Sequence, residues 1–202
     1  MQHVRLILWI AVALALFVLG AVAVGGLSVR DPGTASAGLD PGAPLGGSFS
    51  LVNHKDEPVT EAIFREKPSA TLFGFTHCPD VCPTALMEMA GWAEKLGADA
   101  EKLNFIFITV DPERDTPAVM RDYIGAFSDR IVGITGEPEK VEAMVKDYKI
   151  YSRKVALDDG DYTMDHTASV ILQDAGGNFV GTIARDEDPE AAMAKLKRLV
   201  AG

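Results

Sequence analysis

Two short and almost wholly apolar segments, residues 71–75 and 103–110, constrain the fold of this 202-residue chain most strongly. Segments of this length and composition are typical of β-strands that are buried on both faces, in a sheet covered by helices. Between them, residues 84–96 place apolar side chains at helical spacing, and Gly97 follows where the helix is expected to end. The order strand, helix, strand predicts a right-handed crossover between two parallel strands.

The later part of the chain continues this alternation of strands and helices. Residues 131–134 are predicted to be a strand, and residues 169–183 a β-hairpin. Helices are predicted at 116–127, 138–148 and 188–200, each with a proline that suits the first helical turn. A mostly parallel sheet with a C-terminal antiparallel hairpin and a closing helix predicts an α/β, thioredoxin-like fold.

The N-terminal residues have a different character. No charged residue occurs within residues 6–29, and about 20 apolar residues suffice to span the hydrocarbon core of a membrane. We therefore predict that residues 1–30 form a single transmembrane anchor; a cleaved signal peptide is the alternative, but its apolar region is usually about 7–15 residues. Arg5 favours a cytoplasmic N-terminus, with the soluble domain on the exported, periplasm-like side.

Residues 31–45 are rich in Gly, Pro, Ala and Ser and show no apolar periodicity, which predicts a flexible linker. Residues 46–202 then form the globular domain. The formal net charge of −10 argues against nucleic acid as a partner, because phosphate binding needs a basic face.

The only two cysteines of the chain, Cys78 and Cys82, lie in the segment 75–83, which reads FTHCPDVCP. Each precedes a proline, which disfavours the helical conformation, so we predict a turn up to Val81 and a helix that starts at Pro83 with Cys82 as its cap. The partial positive charge at the start of a helix lowers the pKa of a thiol. Thiolates at this spacing suit either a reversible disulfide or a soft metal ion such as Cu(I) or Zn(II).

A metal ion would need further ligands, and the four histidines of the chain are candidates. His3 precedes the predicted anchor, and His54 lies in a polar turn where we expect it to be solvated. His77 is a poor candidate because it directly precedes Cys78. His166 precedes the C-terminal hairpin. The start of an antiparallel strand lies beside the end of the strand that leads to Cys78, so His166 can reach the sulfurs, although a histidine that caps the strand fits the same pattern.

Three segments of the chain together resemble a known family: 75–83, 111–117 with the sequence DPERDTP, and 165–167 with the sequence DHT. Their sequences and their order are similar to those of the Sco/SenC family. Members of that family are membrane-tethered, thioredoxin-fold copper proteins that assist assembly of the dinuclear copper A centre of cytochrome c oxidase. The resemblance extends over residues 46–200.

The resemblance implies that copper, as Cu(I) or Cu(II), is bound by Cys78, Cys82 and His166. It also implies that the protein is a metallochaperone rather than an enzyme. Such a metallochaperone takes copper from an upstream donor and delivers it to the copper A subunit of cytochrome c oxidase, or prepares the cysteines of that subunit. Two alternatives use the same residues: a thiol–disulfide reductase with a redox disulfide between Cys78 and Cys82, and a copper or redox sensor.

Acidic residues near these motifs are candidates for supporting roles. Asp165 either orients His166 or contacts the partner protein, with capping of a strand as the alternative. Asp111 ends a central strand, where ligand sites tend to lie in α/β folds, although Asp-Pro is also ordinary turn chemistry. Met164 is a further candidate, as an axial ligand.

Overall fold

The computed structural model describes Trp9, residues 39–158 and residues 160–202. The strands are β1 (Ser50–Asn53), β2 (Pro58–Thr60), β3 (Ser69–Gly74), β4 (Asn104–Thr109), β5 (Ile131–Thr135), β6 (Ser152–Ala156), β7 (Tyr162–His166), β8 (Val170–Gln173) and β9 (Phe179–Ile183). The helices are α1 (Ile63–Glu66), α2 (Val81–Leu96), α3 (Pro117–Gly125), α4 (Pro138–Asp147) and α5 (Pro189–Ala201), and a 3-10 helix covers Gly97–Lys102.

Seven of these strands form one sheet in the order β2-β1-β5-β4-β3-β8-β9. The central strands β3, β4 and β5 are parallel, and α2 connects β3 to β4 as the predicted crossover. Antiparallel strands flank them on both sides: β1 and β2 beside β5, and β8 and β9 beside β3. The α/β arrangement is therefore confirmed, but the sheet is not mostly parallel. The sequence did not predict β1 and β2, because these short, partly exposed strands carry no continuous apolar run.

Helices cover both faces of the central strands, as the apolar runs predicted. Every residue of β3 is buried. On one face, Leu72 belongs to a core cluster with Leu86 of α2 and Leu196 of α5. On the other face, Phe73 belongs to a second cluster with Val141 of α4. Each such side chain contributes about 1.5–3 kcal/mol when it leaves water, so the centre of the sheet is a firm platform for the loops at its ends.

A separate two-stranded sheet lies outside the seven-stranded one. β6 and β7 pair in antiparallel register, with Ser152 opposite His166 and Ala156 opposite Tyr162. We call this unit the β6–β7 arm. The sequence did not predict it, because its residues are half-buried or exposed and show no regular alternation of apolar and polar side chains.

The predicted linker reaches the domain earlier than expected. The Gly42 N–H donates to the Phe179 carbonyl (2.7 Å), the Leu45 N–H donates to the Gly177 carbonyl (3.1 Å), and the Leu45 side chain is buried. Residues 42–45 are thus part of the folded domain, which corrects the prediction of a flexible linker over 31–45 for these residues. They pack on the turn that follows β8, at the end of the sheet opposite to Cys78.

The predicted transmembrane anchor, residues 1–30, lies outside the described residues except for Trp9. In the part of the chain that the structure describes, no helix combines the length and the apolar character needed to cross a membrane.

Candidate metal centre

The two cysteines lie where β3 gives way to α2. Cys78 is half-buried in the turn, whereas Cys82 is fully buried in the first turn of the helix. Because α2 begins at Val81, the predicted start at Pro83 with Cys82 as the cap was wrong. The first four N–H groups of a helix lack partners within it, so a proline removes no helical hydrogen bond there. The N–H of Cys82 is one of these four groups, and it donates to Sγ of Cys78 (3.3 Å).

Gly74, the last residue of β3, allows the buried sulfur to lie against the strand. A Cβ atom at this position would stand 2.7 Å from Sγ of Cys82 and 2.6 Å from the Phe107 ring. Neither neighbour has a long, flexible side chain that moves away at low cost. The close approach therefore requires glycine, and it fixes the depth at which Cys82 sits.

His166 ends β7 and lies beside the cysteines, as the strand order predicted. Its Nε2 is 3.9 Å from Sγ of Cys82. Its Nδ1 is 2.9 Å from the carbonyl oxygen of Thr167, and a carbonyl only accepts hydrogen bonds, so the proton of the neutral ring is assigned to Nδ1. The lone pair of Nε2 is thus available on the side of the sulfur. The Phe75 ring packs edge-to-face on the imidazole at 5.7 Å.

This donor set fits a soft metal ion. With metal–sulfur and metal–nitrogen distances of about 2.3 and 2.0 Å and an angle of about 120°, the two donor atoms would be about 3.7 Å apart. The observed 3.9 Å between Cys82 and His166 is close to that separation. Among the described His, Cys, Asp and Glu side chains, no group of three is already arranged around one point that an ion could occupy.

The two thiols share their protons unequally. Hydrogen bonding from the Cys82 thiol, together with the backbone N–H of Cys82, lowers the pKa of Cys78, while burial opposes the shift. The same hydrogen bond and burial raise the pKa of Cys82. The two cysteines are not joined by a disulfide here. On this ordering Cys78 loses its proton before Cys82 does.

The other described histidines do not join the two sulfurs. His77 lies with its Nδ1 3.1 Å from the Thr76 hydroxyl. His54 was expected to be solvated, which was wrong: its Nδ1 accepts a hydrogen bond from the Gly133 N–H (3.0 Å), and burial lowers its pKa. Both rings therefore have structural contacts, and His166 is the histidine that the fold brings to the cysteines.

The two acidic candidates take different positions. Asp165 points into solvent, 55% exposed, and its carboxylate lies 3.5 Å from the Arg153 guanidinium. Neighbouring side chains of a strand point to opposite faces, so Asp165 faces away from the imidazole of His166. Asp111 is buried and accepts a hydrogen bond from the Tyr162 hydroxyl (2.8 Å). The partners of these two carboxylates are Arg153 for Asp165, and Arg114 and Tyr162 for Asp111.

Sequence analysis missed Asp115. Thr116 caps α3, whereas the side chain of Asp115, the residue before it, is fully buried. Its carboxylate accepts hydrogen bonds from Thr76, two residues before Cys78, and from Thr109 at the end of β4. The available signal was partial: Asp115 follows Thr109, the last residue of β4, by six residues, whereas Thr76 is 39 residues away in sequence.

Comparison with known proteins decides the family. The sequence model of the family described as SCO1/SenC matches residues 37–201. The chain belongs to the SCO1/SenC family. The resemblance seen in the three motifs is thereby confirmed, and the match extends through almost the whole described domain.

Two curated relatives of this SCO1/SenC protein are much longer than the chain. Protein SCO2, mitochondrial, of Saccharomyces cerevisiae is 35% identical over 159 residues, which cover 77% of this chain and 53% of that protein. Protein SCO1 homolog 1, mitochondrial, of Arabidopsis thaliana is 35% identical over 153 residues, which cover 74% of this chain and 45% of that protein. The chain spans about half the length of these relatives.

A solved structure agrees in fold over the same region. The structure of Bradyrhizobium japonicum ScoI with copper bound is similar at a TM-score of 0.72 and 45% sequence identity, covering 77% of this chain and 99% of that chain. This similarity confirms the thioredoxin-like α/β fold predicted from the sequence.

Proposed function

We propose that this SCO1/SenC protein is a copper metallochaperone, not an enzyme, that delivers copper to the copper A subunit of cytochrome c oxidase. The observation that carries the proposal is the juxtaposition of two thiols and one imidazole, with Nε2 of His166 3.9 Å from Sγ of Cys82. The Bradyrhizobium relative was solved with copper bound, which supports copper as the cargo.

The chemistry of the three side chains suits both oxidation states of copper. The thiolates of Cys78 and Cys82 match Cu(I), and the imidazole of His166 adds a donor that Cu(II) prefers. Binding requires both thiols to lose their protons, so affinity falls at low pH. Cys78 is half-buried rather than enclosed, so a cysteine of an acceptor can approach from this side and replace the ligands one at a time.

We further propose that residues 1–30 anchor the protein in the membrane, with the N-terminus cytoplasmic and the soluble domain on the exported, periplasm-like side. The uncharged run 6–29 supports this topology. An anchored domain stays at the membrane surface, where the oxidase and an upstream copper donor are also accessible.

A second candidate function, reduction of a disulfide in the copper A subunit, is favoured by the unequal thiols. The Cys78 thiolate attacks one sulfur of the acceptor disulfide, forms a mixed disulfide and releases one acceptor thiolate. Cys82 then loses its proton and displaces the second acceptor sulfur. The acceptor gains two electrons, one proton from Cys82 and one proton from water, and the chain is left with a disulfide between Cys78 and Cys82.

A transfer assay tests the two functions separately. Copper-loaded soluble domain is mixed with an isolated, reduced copper A domain, and the visible absorption of the copper A centre is followed. In parallel, the reduced, copper-free domain is mixed with a copper A domain whose cysteines form a disulfide, and the free thiols of the acceptor are counted.

Metallochaperone activity predicts copper A formation in the first mixture, with loss in Cys82→Ser. Reduction only in the second mixture would assign the chain to thiol–disulfide exchange. Activity in neither mixture, together with copper-dependent binding to a membrane partner, would assign it to sensing and contradict the proposal.

A further inference from the structure

The β6–β7 arm carries His166 but is not fastened by the main sheet. In the described strands, no backbone ladder joins β6 or β7 to the seven-stranded sheet. The chain connects the arm to β8 at its base, where the Thr167 N–H donates to the Tyr151 carbonyl (3.0 Å). The position of His166 near the sulfurs therefore depends on what holds the rest of the arm.

The middle of the arm packs on the domain only in part, through Met164, which contacts the core cluster that contains Val110 and Val141. A cavity of about 560 Å³ lies between them, with Met164 and Lys154 of the arm on one side and Val110 and residues of α4, among them Val141, on the other. A surface that borders a cavity of this size contributes little dispersion energy. Contacts toward the tip of the arm therefore add substantially to what holds it on the domain.

Arg114 supplies such contacts at the tip. Its Nη1 donates to the carbonyl oxygen of Tyr162 (3.0 Å), and its guanidinium carbon lies 3.7 Å from the centre of the Tyr162 ring. The Arg114 side chain is only 17% exposed. A guanidinium that is largely shielded from solvent, stacks on an aromatic ring and donates hydrogen bonds contributes more free energy than a solvent-exposed ion pair does.

Asp111 completes the connection between the arm and the domain. One of its carboxylate oxygens accepts the hydrogen bond of Nε of Arg114, and the other accepts that of the Tyr162 hydroxyl. Lys154 covers the tyrosine ring at 4.1 Å and pairs with Glu113 at 2.8 Å. The Tyr162 side chain is thus held between two cations, and its hydroxyl is tied to a buried carboxylate of the domain.

An aromatic ring connects this contact to the imidazole. The guanidinium carbon of Arg114 lies 5.9 Å from the centre of the Phe75 ring, and the Phe75 ring contacts the ring of His166 edge-to-face at 5.7 Å. Movement of Arg114 therefore disturbs the packing of the ring against which His166 rests.

We propose that Arg114 is a positioning residue for the metal centre: it holds the β6–β7 arm against the domain and thereby keeps His166 beside Cys82. The consequence for copper rests on the proposed function, whereas the hold on the arm does not. Lysine cannot replace this residue, because it lacks the planar fork that donates and stacks at the same time.

The decisive variant is Arg114→Lys, which keeps the positive charge beside Asp111 and removes the planar guanidinium with its several N–H donors. The matched control is Arg130→Lys, because Arg130 also pairs with a carboxylate, Glu101 at 2.7 Å, but is 47% exposed and takes no part in the contacts of the arm. Amide hydrogen exchange and the nitrogen NMR signals of the His166 imidazole are recorded on the copper-free proteins.

In Arg114→Lys we expect amides of β7 to exchange at least about tenfold faster, amides of β4 to keep their protection, and the His166 signals to shift or broaden. The control is expected to match the wild type. Exchange in β7 that stays within about twofold of the wild type would overturn the proposal. Faster exchange in β4 and β7 alike would do the same, because it would show only a general loss of stability.

Copper binding provides the second readout. Arg114→Lys is expected to weaken Cu(II) binding by about tenfold and to change the sulfur-to-Cu(II) absorption band, since Cu(II) depends on the imidazole. Cu(I) affinity and the reduction potential of the cysteine pair are expected to stay as in the wild type, because these depend on the thiols. Equal losses for Cu(I) and Cu(II), or no loss for Cu(II), would overturn the link to His166.

If Arg114→Lys fails to fold, Tyr162→Phe removes only the hydroxyl bond to Asp111, and the same changes are expected at smaller size. Wild-type protein that binds no copper would contradict the proposed function. The hydrogen exchange and the His166 signals of the copper-free proteins would still decide whether Arg114 positions the arm and its imidazole.

Discussion

The carboxylate of Asp115 receives both the backbone N–H and the hydroxyl of Thr76, at 3.1 and 2.6 Å. The Thr109 hydroxyl donates to the same carboxylate at 2.6 Å. One fully buried side chain thus fastens the turn that leads to Cys78 to the end of β4. Asp115 thus fixes the backbone that presents the thiols through hydrogen bonds to Thr76 and Thr109.

We expect the stabilising contribution of Asp115 to depend on pH. Burial raises the pKa of Asp115 in the folded protein, although the hydroxyls of Thr109 and Thr76 act against the shift. The folded protein therefore binds this proton more tightly than the unfolded chain does. Its contribution is fully present below the ordinary pKa of about 4 and is lost as the pH rises through the raised value.

The variant Asp115→Asn lacks this titration. The difference in free energy of unfolding between wild type and Asp115→Asn is expected to be largest near pH 4 and to shrink toward neutral pH. Urea unfolding of both proteins over this range measures the difference. A gap that stays constant or widens with rising pH would contradict the assignment.

The contact between Gly74 and Cys82 gives a prediction on packing. A methyl group at Gly74 would meet Sγ of Cys82 at 2.7 Å and the Phe107 ring at 2.6 Å, so Gly74→Ala is expected to lower the free energy of unfolding by about 1–3 kcal/mol. It also displaces the Cys82 sulfur, so Cu(I) affinity is expected to fall as well.

The matched control is Gly91→Ala in the interior of α2, where an added Cβ has nothing within 4 Å. Alanine there is expected to stabilise the helix by about 0.5–1 kcal/mol. Denaturant unfolding measures both variants. If Gly74→Ala and Gly91→Ala change the free energy of unfolding by the same amount and in the same direction, the contact with Cys82 is not what requires glycine at residue 74.

Local patterns were sufficient for the centre of the fold. The apolar runs that became β3 and β4, and the helical spacing between them, specify their own structure because both faces of each strand are buried. The pairing of Cys78 with Cys82 needed only their spacing. The approach of His166 followed from the antiparallel strand beside β3.

The contacts that support the centre were not predictable in this way. Thr76 and Asp115 are 39 residues apart in sequence, and Arg114 and Tyr162 are 48 apart. No local spacing encodes such pairs, and Asp, Arg and Thr next to proline also fit ordinary turns. The β6–β7 arm was not predicted for a related reason, because half-exposed strands lack the apolar pattern by which a buried strand is identified.

The unequal thiols predict unequal reactivity. Hydrogen bonding from Cys82 lowers the pKa of Cys78. The same hydrogen bond, together with burial, raises the pKa of Cys82. With iodoacetamide on reduced, copper-free protein, Cys78 is expected to react first, and its rate is expected to persist as the pH falls from about 8 to 6, where an ordinary thiol of pKa about 8.5 becomes unreactive.

Mass spectrometry of peptides with the two cysteines measures this order, and Cys82→Ser shows how far the neighbouring thiol contributes. In that variant the rate at pH 6 is expected to fall less than it does for a free thiol, because the serine hydroxyl still donates a hydrogen bond. Faster modification of Cys82 than of Cys78 in the wild type would reverse the assignment of the thiolate.

Replacement of His166 separates the imidazole from the thiols. Nε2 of His166 is the nitrogen beside Cys82, at 3.9 Å, whereas His77 lies with its Nδ1 3.1 Å from Thr76. In His166→Ala, Cu(II) affinity is expected to fall by more than about tenfold, with a changed thiolate-to-Cu(II) band, because Cu(II) prefers imidazole. Cu(I) binding by the two thiolates and reduction of an acceptor disulfide are expected to persist. His77→Ala is expected to behave like the wild type in titrations with both ions, and a His166→Ala protein with unchanged Cu(II) binding would exclude the three-ligand centre.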